Sequence, residues 1–318
     1  MENSKLHLIA HRMNVGSLDR EEYNHVDNSI EALESVIETM KSSSFLTGFE
    51  CDVRRTKNNE LVVVHDASLK SMTAEKRKDN IADITYDDLK EHRLMNAQFY
   101  YKGLKQRALL LPDAKRIRNI ISQRLQKTAI APLASDMFDY LVEKNFEGEV
   151  VMELKGLDHQ TAEAAVKLID AYKNKLKIAV KSFSASKVRS IGDKTGVKTG
   201  LLDGPFFINR RQALDDSFVK NIHFNFYSVL WSKINDKLLQ SLIENEKDLY
   251  LWTVDSAVHL NEVFKRLVKI KSSIGSIPKN ISIVTNLPII LEEYINGSAQ
   301  EVALTKNIPE MYEVLFAE

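Results

Sequence analysis

Residues 150–183 read VVMELKGLDHQTAEAAVKLIDAYKNKLKIAVKSF. Val150–Leu154 is a short, mostly apolar run of strand length. Ala162, Ala165, Val166 and Ile169 then recur at helical spacing, and Ile178–Phe183 is a second strand-length run. A strand that reads as a continuous apolar run, rather than an alternating one, is buried on both faces, as in a parallel sheet covered by helices. The same units lie on either side. Strand-like runs occur at Leu6–Ala10, Phe49–Val53, Leu61–Val64, Asn221–Phe226, Leu249–Val254 and Ile281–Thr285, with a weaker one at Gly200–Leu202. Ile30, Leu33, Val36, Ile37 and Met40 fall on one helical face, and Asn28 with Glu31 has the spacing of a capping box at its start. Alternation of this kind over 318 residues fits an α/β fold of the TIM (β/α)8 barrel type. Nine candidates compete for eight places, and Gly200–Leu202 is expected to be the surplus one.

Composition narrows the function. The chain is 44% apolar and 28% charged, which excludes collagen-like, low-complexity and disordered classes. Its 44 Lys and Arg balance 44 Asp and Glu, so a nucleic-acid partner is not expected. No apolar run approaches the roughly 18–20 residues of a transmembrane segment, and the first residues lack a signal-peptide layout, so a cytoplasmic location is expected. A single cysteine, Cys51, excludes an internal disulfide and a multi-cysteine zinc site. Neither dinucleotide nor P-loop glycine motif is present. No linker or repeat divides the chain, so 1–318 reads as a single domain, and nothing marks an oligomeric state. One segment breaks the alternation: residues 70–127 hold 14 Lys or Arg against 7 Asp or Glu and no convincing strand. It contains one helical pattern near Asp113–Leu125, with Ile117, Ile120, Ile121 and Leu125 on one side. We read residues 70–130 as a basic insertion over a barrel loop, after the strand ending at His65.

In a barrel the C-terminal ends of the strands face the active site. Leu8–Ala10 runs into His11 and Arg12. Phe49–Val53 sets Glu50 and Asp52 on one face of one strand, with Cys51 on the other. Val62–Val64 ends in His65 and Asp66, and Val150–Met152 in Glu153 and Lys155. Three carboxylates in one place supply hard oxygen ligands for Mg²⁺ or Ca²⁺. Arg12 and Lys155 suit anionic oxygens, and two imidazoles suit acid–base work near neutral pH. Burying so many charges without a metal or an anion would be costly.

In order and spacing, His11-Arg12, Asn28-Ser29, Glu50-x-Asp52-Val53-x-x-Thr56, Val63-Val64-His65-Asp66 and Glu153-x-Lys155 resemble the motifs of the glycerophosphodiester phosphodiesterases, members of the phospholipase-C-like phosphodiesterase superfamily. Ser182-Phe183-Ser184, Leu251-Trp252-Thr253-Val254-Asp255 and Val284-Thr285-Asn286-Leu287-Pro288 agree with it. The resemblance implies a divalent metal on Glu50, Asp52 and Glu153, His11 and His65 as catalytic acid and base, and Arg12 and Lys155 on phosphate. It implies attack by a hydroxyl next to the ester, giving a cyclic phosphate that water opens. Trp252 is a candidate surface for the substrate.

There are departures. Met13 stands where the family has glycine after His-Arg, and is expected to fill volume beside the phosphate and reshape the substrate pocket. Asp27 shortens a carboxylate by a methylene, and Asn286 replaces an aspartate frequent in the family. Hydrolysis of a glycerophosphodiester is the leading reading. The altered loop also admits a sugar-phosphodiester-forming transferase, similar to the agrocinopine synthases that resemble this family. A non-catalytic phosphometabolite-binding protein is the remaining class.

Overall fold

Helix and strand signals act together to build the sheet. Asp158 caps the helix His159–Tyr172 by accepting from the Thr161 N–H, and the helix buries Thr161, Ala162, Ala165 and Ile169 against the strands beside it. This computed structural model describes residues 4–17, 20, 23–96, 114–156, 158–203, 224–299 and 306–316. Its strands are β1 (Lys5–Ala10), β2 (Leu46–Arg55), β3 (Leu61–Val63), β4 (Glu149–Leu154), β5 (Lys177–Ser182), β6 (Lys198–Asp203), β7 (Phe226–Leu230), β8 (Asp248–Trp252) and β9 (Asn280–Thr285). They run β1-β9-β8-β7-β6-β5-β4-β2 around a closed ring, all parallel, with β1 paired to both β9 and β2. This is the (β/α)8 barrel. Among the described residues no helix is long and apolar enough to cross a membrane.

Three strand assignments from sequence are corrected. The surplus strand is β3, which pairs antiparallel with β2 outside the ring, whereas Gly200 and Leu202 belong to barrel strand β6. The cause of the first is connection length. Only Thr56–Glu60 join β2 to β3, and a parallel return needs a dozen residues or more. The cause of the second is a steric exchange inside the ring. A Cβ on Gly200 would stand 2.1 Å from the Phe226 ring, so the side chain that weakens β6 as an apolar run is missing to make room for Phe226. The strand expected at Asn221–Phe226 begins at Phe226 instead, because inward Ser228 interrupts the apolar pattern of the true strand. Residues 221–223 of that expectation lie outside the described residues.

Strand alternation sorts the side chains. Outward residues, Cys51 among them, enter one large core with the helices, while Ile9, Val151, Ala179, Phe226, Tyr250 and Val284 fill the middle of the barrel. The expected capping box does not form: Ser29, not Asn28, caps the helix Ile30–Met40 by accepting the Ala32 N–H, and Ala32 has no side chain to return a bond. From the 70–130 segment, Met72, Ile81, Leu89 and Leu94 make a small core with the flanking Val62, Val64, Leu69 and Ala131, and the helix Ala114–Arg124 turns Ile117, Ile120 and Ile121 into the main core.

The Phe226 and Tyr250 ring centroids lie 4.2 Å apart with the planes tilted by 34°, so Phe226 has no retreat. Gly200→Ala should therefore destabilise the protein by about 3 kcal/mol in urea titration, and adding Phe226→Leu should recover most of the loss. A Gly200→Ala protein as stable as wild type would refute this account of β6.

Candidate active site

Glu50 and Asp52 project inward from β2, and Glu153 from neighbouring β4, where Asp52 and Glu153 are register partners. One carboxylate oxygen from each lies within 4.8 Å of the others, and all three residues are buried. A span this small suits a single cation bound at about 2.0–2.6 Å, and three hard oxygens suit Mg²⁺ or Ca²⁺. The set can hold a divalent metal.

Each carboxylate is held by donors from separate elements. After β1 the backbone makes a tight turn in which Arg12 (φ 51°) and Met13 (φ 62°) are left-handed. The turn aims the Arg12 N–H at Glu50 Oε2, 3.0 Å away. Left-handed non-glycine residues cost about 1–2 kcal/mol each. Asn28, also left-handed, grips Asp52 twice. Its Nδ2 donates to Asp52 Oδ2 at 2.9 Å, and its Oδ1 accepts the Asp52 N–H at 3.1 Å.

Three cations interleave with the carboxylates. Lys155 Nζ lies 2.9 Å from Asp52 Oδ1 and also contacts Glu153. Arg12 Nε is 3.4 Å from Asp52 Oδ2, and its Nη1 3.4 Å from Asp27 Oδ2. The third, Lys181 of β5, is almost fully buried, with Nζ 3.3 Å from Glu50 Oε1 and 3.4 Å from Glu153 Oε2. Sequence reasoning missed Lys181. The signal was available, since a lysine inside the apolar run Ile178–Phe183 must find a buried partner.

The local field separates the three acids. Burial pushes the Glu50 carboxyl up to about 7, with Asp52 and Glu153 adding to the effect and Lys181 opposing it. Burial acts upward on Asp52 too, but Lys155, the two imidazoles and Arg12 outweigh it and hold Asp52 well below the usual carboxylate range. At Glu153, Lys155 and Lys181 override burial and hold the group near 2. The carboxylates in turn raise Lys155 and Lys181 despite burial, so both stay charged. Burial, then Arg12, brings the His11 imidazole down to about 4.

His11 caps the C-terminal end of β1. Its Nε2 is 3.9 Å from Glu50 Oε2, and its Nδ1 is 2.9 Å from Asn286 Oδ1 beyond the end of β9. His65 reaches the same rim by way of the β2–β3 hairpin rather than from a barrel strand. Arg54 Nε donates to the His65 carbonyl at 2.7 Å, and the Val64 N–H to that of Asp52 at 2.8 Å. The partly exposed His65 ring pairs through Nδ1 with Asp66 Oδ1 at 2.5 Å. Its hydrogen bonds with His65 and Ser71 outweigh burial and hold Asp66 near 2. A crevice of about 30 Å³ beside Arg12, Asp27, Asn28, His65 and Asp66 opens under the inserted segment.

Two other candidates lie differently. Trp252, at the end of β8, packs on the apolar middle of the barrel with its ring edge-to-face on Phe183, and so stands at the mouth. Met13 is fully buried in the main core and does not line the crevice. This burial has a conformational reason. Position 13 is left-handed, which suits glycine, and the turn sends the methionine side chain backwards into the core.

The arrangement matches known proteins in fold. A model of the glycerophosphoryl diester phosphodiesterase family matches residues 21–272. None of the curated proteins compared with the chain matches it. Among solved structures, a Silicibacter pomeroyi protein assigned as a glycerophosphoryl diester phosphodiesterase is 15% identical over 90% of this chain and 92% of its own, with a TM-score of 0.65. The glycerophosphodiester phosphodiesterase of Thermotoga maritima is 17% identical over 92% and 99%, with a TM-score of 0.58. A phosphodiesterase of Oleispira antarctica, solved with its product sn-glycerol-3-phosphate, is 14% identical over 89% and 93%, with a TM-score of 0.54. The structural likenesses establish the shared barrel, and the family model, spanning most of it, places the chain in the glycerophosphoryl diester phosphodiesterase family.

Proposed function

We propose that the mouth of the barrel hydrolyses a glycerophosphodiester to glycerol phosphate and an alcohol, with Glu50, Asp52 and Glu153 holding a divalent cation, Mg²⁺ or Ca²⁺. The observation that carries this reading is the convergence of three buried carboxylates within 4.8 Å, interleaved with cations and flanked by two imidazoles. When bound, the cation supplies positive charge that polarises a phosphoryl oxygen. Arg12 and Lys155 orient the phosphate. Two protons of the Lys155 ammonium face Asp52 and Glu153, and a third remains for an anionic oxygen.

The two histidines divide the proton work. His65, partly exposed and oriented through Nδ1 by Asp66, gives a proton to the oxygen of the departing alcohol. His11 is backed by a neutral amide and is held uncharged, so its Nε2 takes the proton of the attacking hydroxyl. As that hydroxyl bonds to phosphorus, the bond to the alcohol breaks. In the second half, water opens the cyclic phosphate with the histidines exchanging roles. The transferase reading has no support in this geometry, because the methionine that motivated it lies in the core.

His11→Ala and His65→Ala should each lower kcat by about two to four orders of magnitude with metal affinity nearly unchanged, whereas Glu50→Ala should lose the metal in calorimetric titration. Loss of metal by His65→Ala, with turnover rescued by excess cation, would reverse the roles.

Metal binding should also depend on pH. Glu50 titrates near 7 in the metal-free protein, above its ordinary 4.5, so the metal-free fold loses stability as pH rises from about 4.5 through 7. A cation reverses this by requiring the ionised form. Added Mg²⁺ or Ca²⁺ should therefore raise Tm more at pH 8 than at pH 6, and binding at pH 6 should release close to one proton into the buffer. An equal Tm gain at both values would remove Glu50 from the ligand set.

Met13→Gly should relieve backbone strain but empty a core position, a net loss of about 1–3 kcal/mol in chemical denaturation, with kcat/KM for a glycerophosphodiester within about threefold of wild type. A tenfold gain in kcat/KM would restore Met13 as a substrate-pocket residue.

A further inference from the structure

The two imidazoles are backed by different chemistry. An amide such as that of Asn286 can offer a ring nitrogen either its oxygen or its NH2 group, and the ring tautomer follows the choice. Here the choice is made one residue further back. Asp255, three residues past the end of β8, takes the Asn286 Nδ2–H on its Oδ2 at 2.8 Å and the Asn286 backbone N–H on its Oδ1, also at 2.8 Å. The Thr285 hydroxyl donates to the same Oδ1 at 3.3 Å. The backbone carbonyl of Asn286 is fixed separately, accepting from Arg124 Nη2 at 3.0 Å.

An ionised carboxylate only accepts, so the NH2 end of Asn286 must face Asp255. Asn286 Oδ1 then faces His11, and an oxygen only accepts, so His11 Nδ1 must carry the hydrogen. In the neutral ring this leaves the lone pair on Nε2, the nitrogen turned toward Glu50. A reversed amide would put the lone pair on Nδ1 and leave Nε2 unable to accept a proton.

We propose that Asp255 is a positioning residue: through Asn286 it locks His11 in the Nδ1–H tautomer, which aims the basic nitrogen at the reacting hydroxyl. The proposal deepens the reading of His11 as the base and rests on it for its effect on turnover, while the tautomer is measurable without turnover.

The test uses the full-length protein, with ¹⁵N-labelled histidine followed by long-range ¹H–¹⁵N NMR and with steady-state kinetics on glycerophosphocholine. The wild-type His11 ring should show the Nδ1–H pattern, and an Nε2–H pattern would overturn the proposal outright. Asp255→Asn removes the obligate acceptor. It should give mixed His11 tautomers and lower kcat about 10- to 100-fold with KM within about threefold. The double variant Asp255→Asn/Asn286→Asp reverses the polarity of the chain: the new amide at 255 donates to the new carboxylate at 286, which accepts the His11 Nδ1–H. That variant should restore a single Nδ1–H tautomer and most of kcat. A merely structural tie between the ends of β8 and β9 would not move the tautomer. Should Asp255→Asn fail to fold, the double variant decides, and a folded double variant with mixed tautomers overturns the proposal. A single Nδ1–H tautomer in Asp255→Asn overturns it as well. Mixed tautomers with unchanged kcat would support the lock and overturn the reading of His11 as the base.

Discussion

Glu50, Asp52 and Glu153 are buried together, and the rest of the mouth is built around the cost of keeping them there. An uncompensated ion in a protein interior costs several kcal/mol, and removing one partner of a buried pair typically costs about 3–5 kcal/mol. The compensation comes from elements remote in the chain: Arg12 after β1, Asn28 before the first long helix, Lys155 after β4 and Lys181 in β5. The left-handed turn at Arg12 and Met13 follows from the same constraint, since that backbone delivers an N–H to Glu50. Local strain is accepted because a buried carboxylate would otherwise lose a donor.

The interior of the barrel is layered, and the layers explain why size is a poor guide to the site. Above the apolar middle lies the carboxylate cluster. Below it, at the N-terminal ends of the strands, Lys198 joins Glu149, Asp248 and the Tyr250 hydroxyl, and Asn280 donates to Asp248. A basin of about 750 Å³ opens there, far larger than the crevice beside Arg12 and His65. The lower network is satisfied by its own members and closes the bottom of the barrel. Strand polarity and the arrangement of charge, rather than volume, single out the upper end as the candidate site.

Chemical asymmetry between the histidines arises from what stands behind each ring. The Asp66 carboxylate stands beside His65 and an amide oxygen beside His11, whose charged form is disfavoured by burial and then by Arg12. In the proposed mechanism the two rings take opposite roles although their ordinary proton affinities are the same.

Much of this protein could be read from its residues in order. Apolar runs alternating with helical stripes specify a parallel barrel because both faces of each strand must be covered, and Glu50-x-Asp52 must share a face because strand geometry has a period of two. Strand-end residues such as His11, Arg12, Glu153 and Lys155 were legible for the same reason. What the linear pattern could not decide was any feature that depends on a neighbour distant in sequence. Gly200 looks weak until Phe226 is beside it, Met13 looks like a pocket residue until the turn sends it into the core, and Lys181 has no visible partner until β5 lies within reach of Glu50 and Glu153. Asp255 and Asn286 are separated by thirty-one positions, and only closure of the barrel sets one behind the other and both behind His11. Periodicity and residue type are local properties of the chain, whereas charge compensation and tautomer choice depend on distances that exist only after the ring has closed.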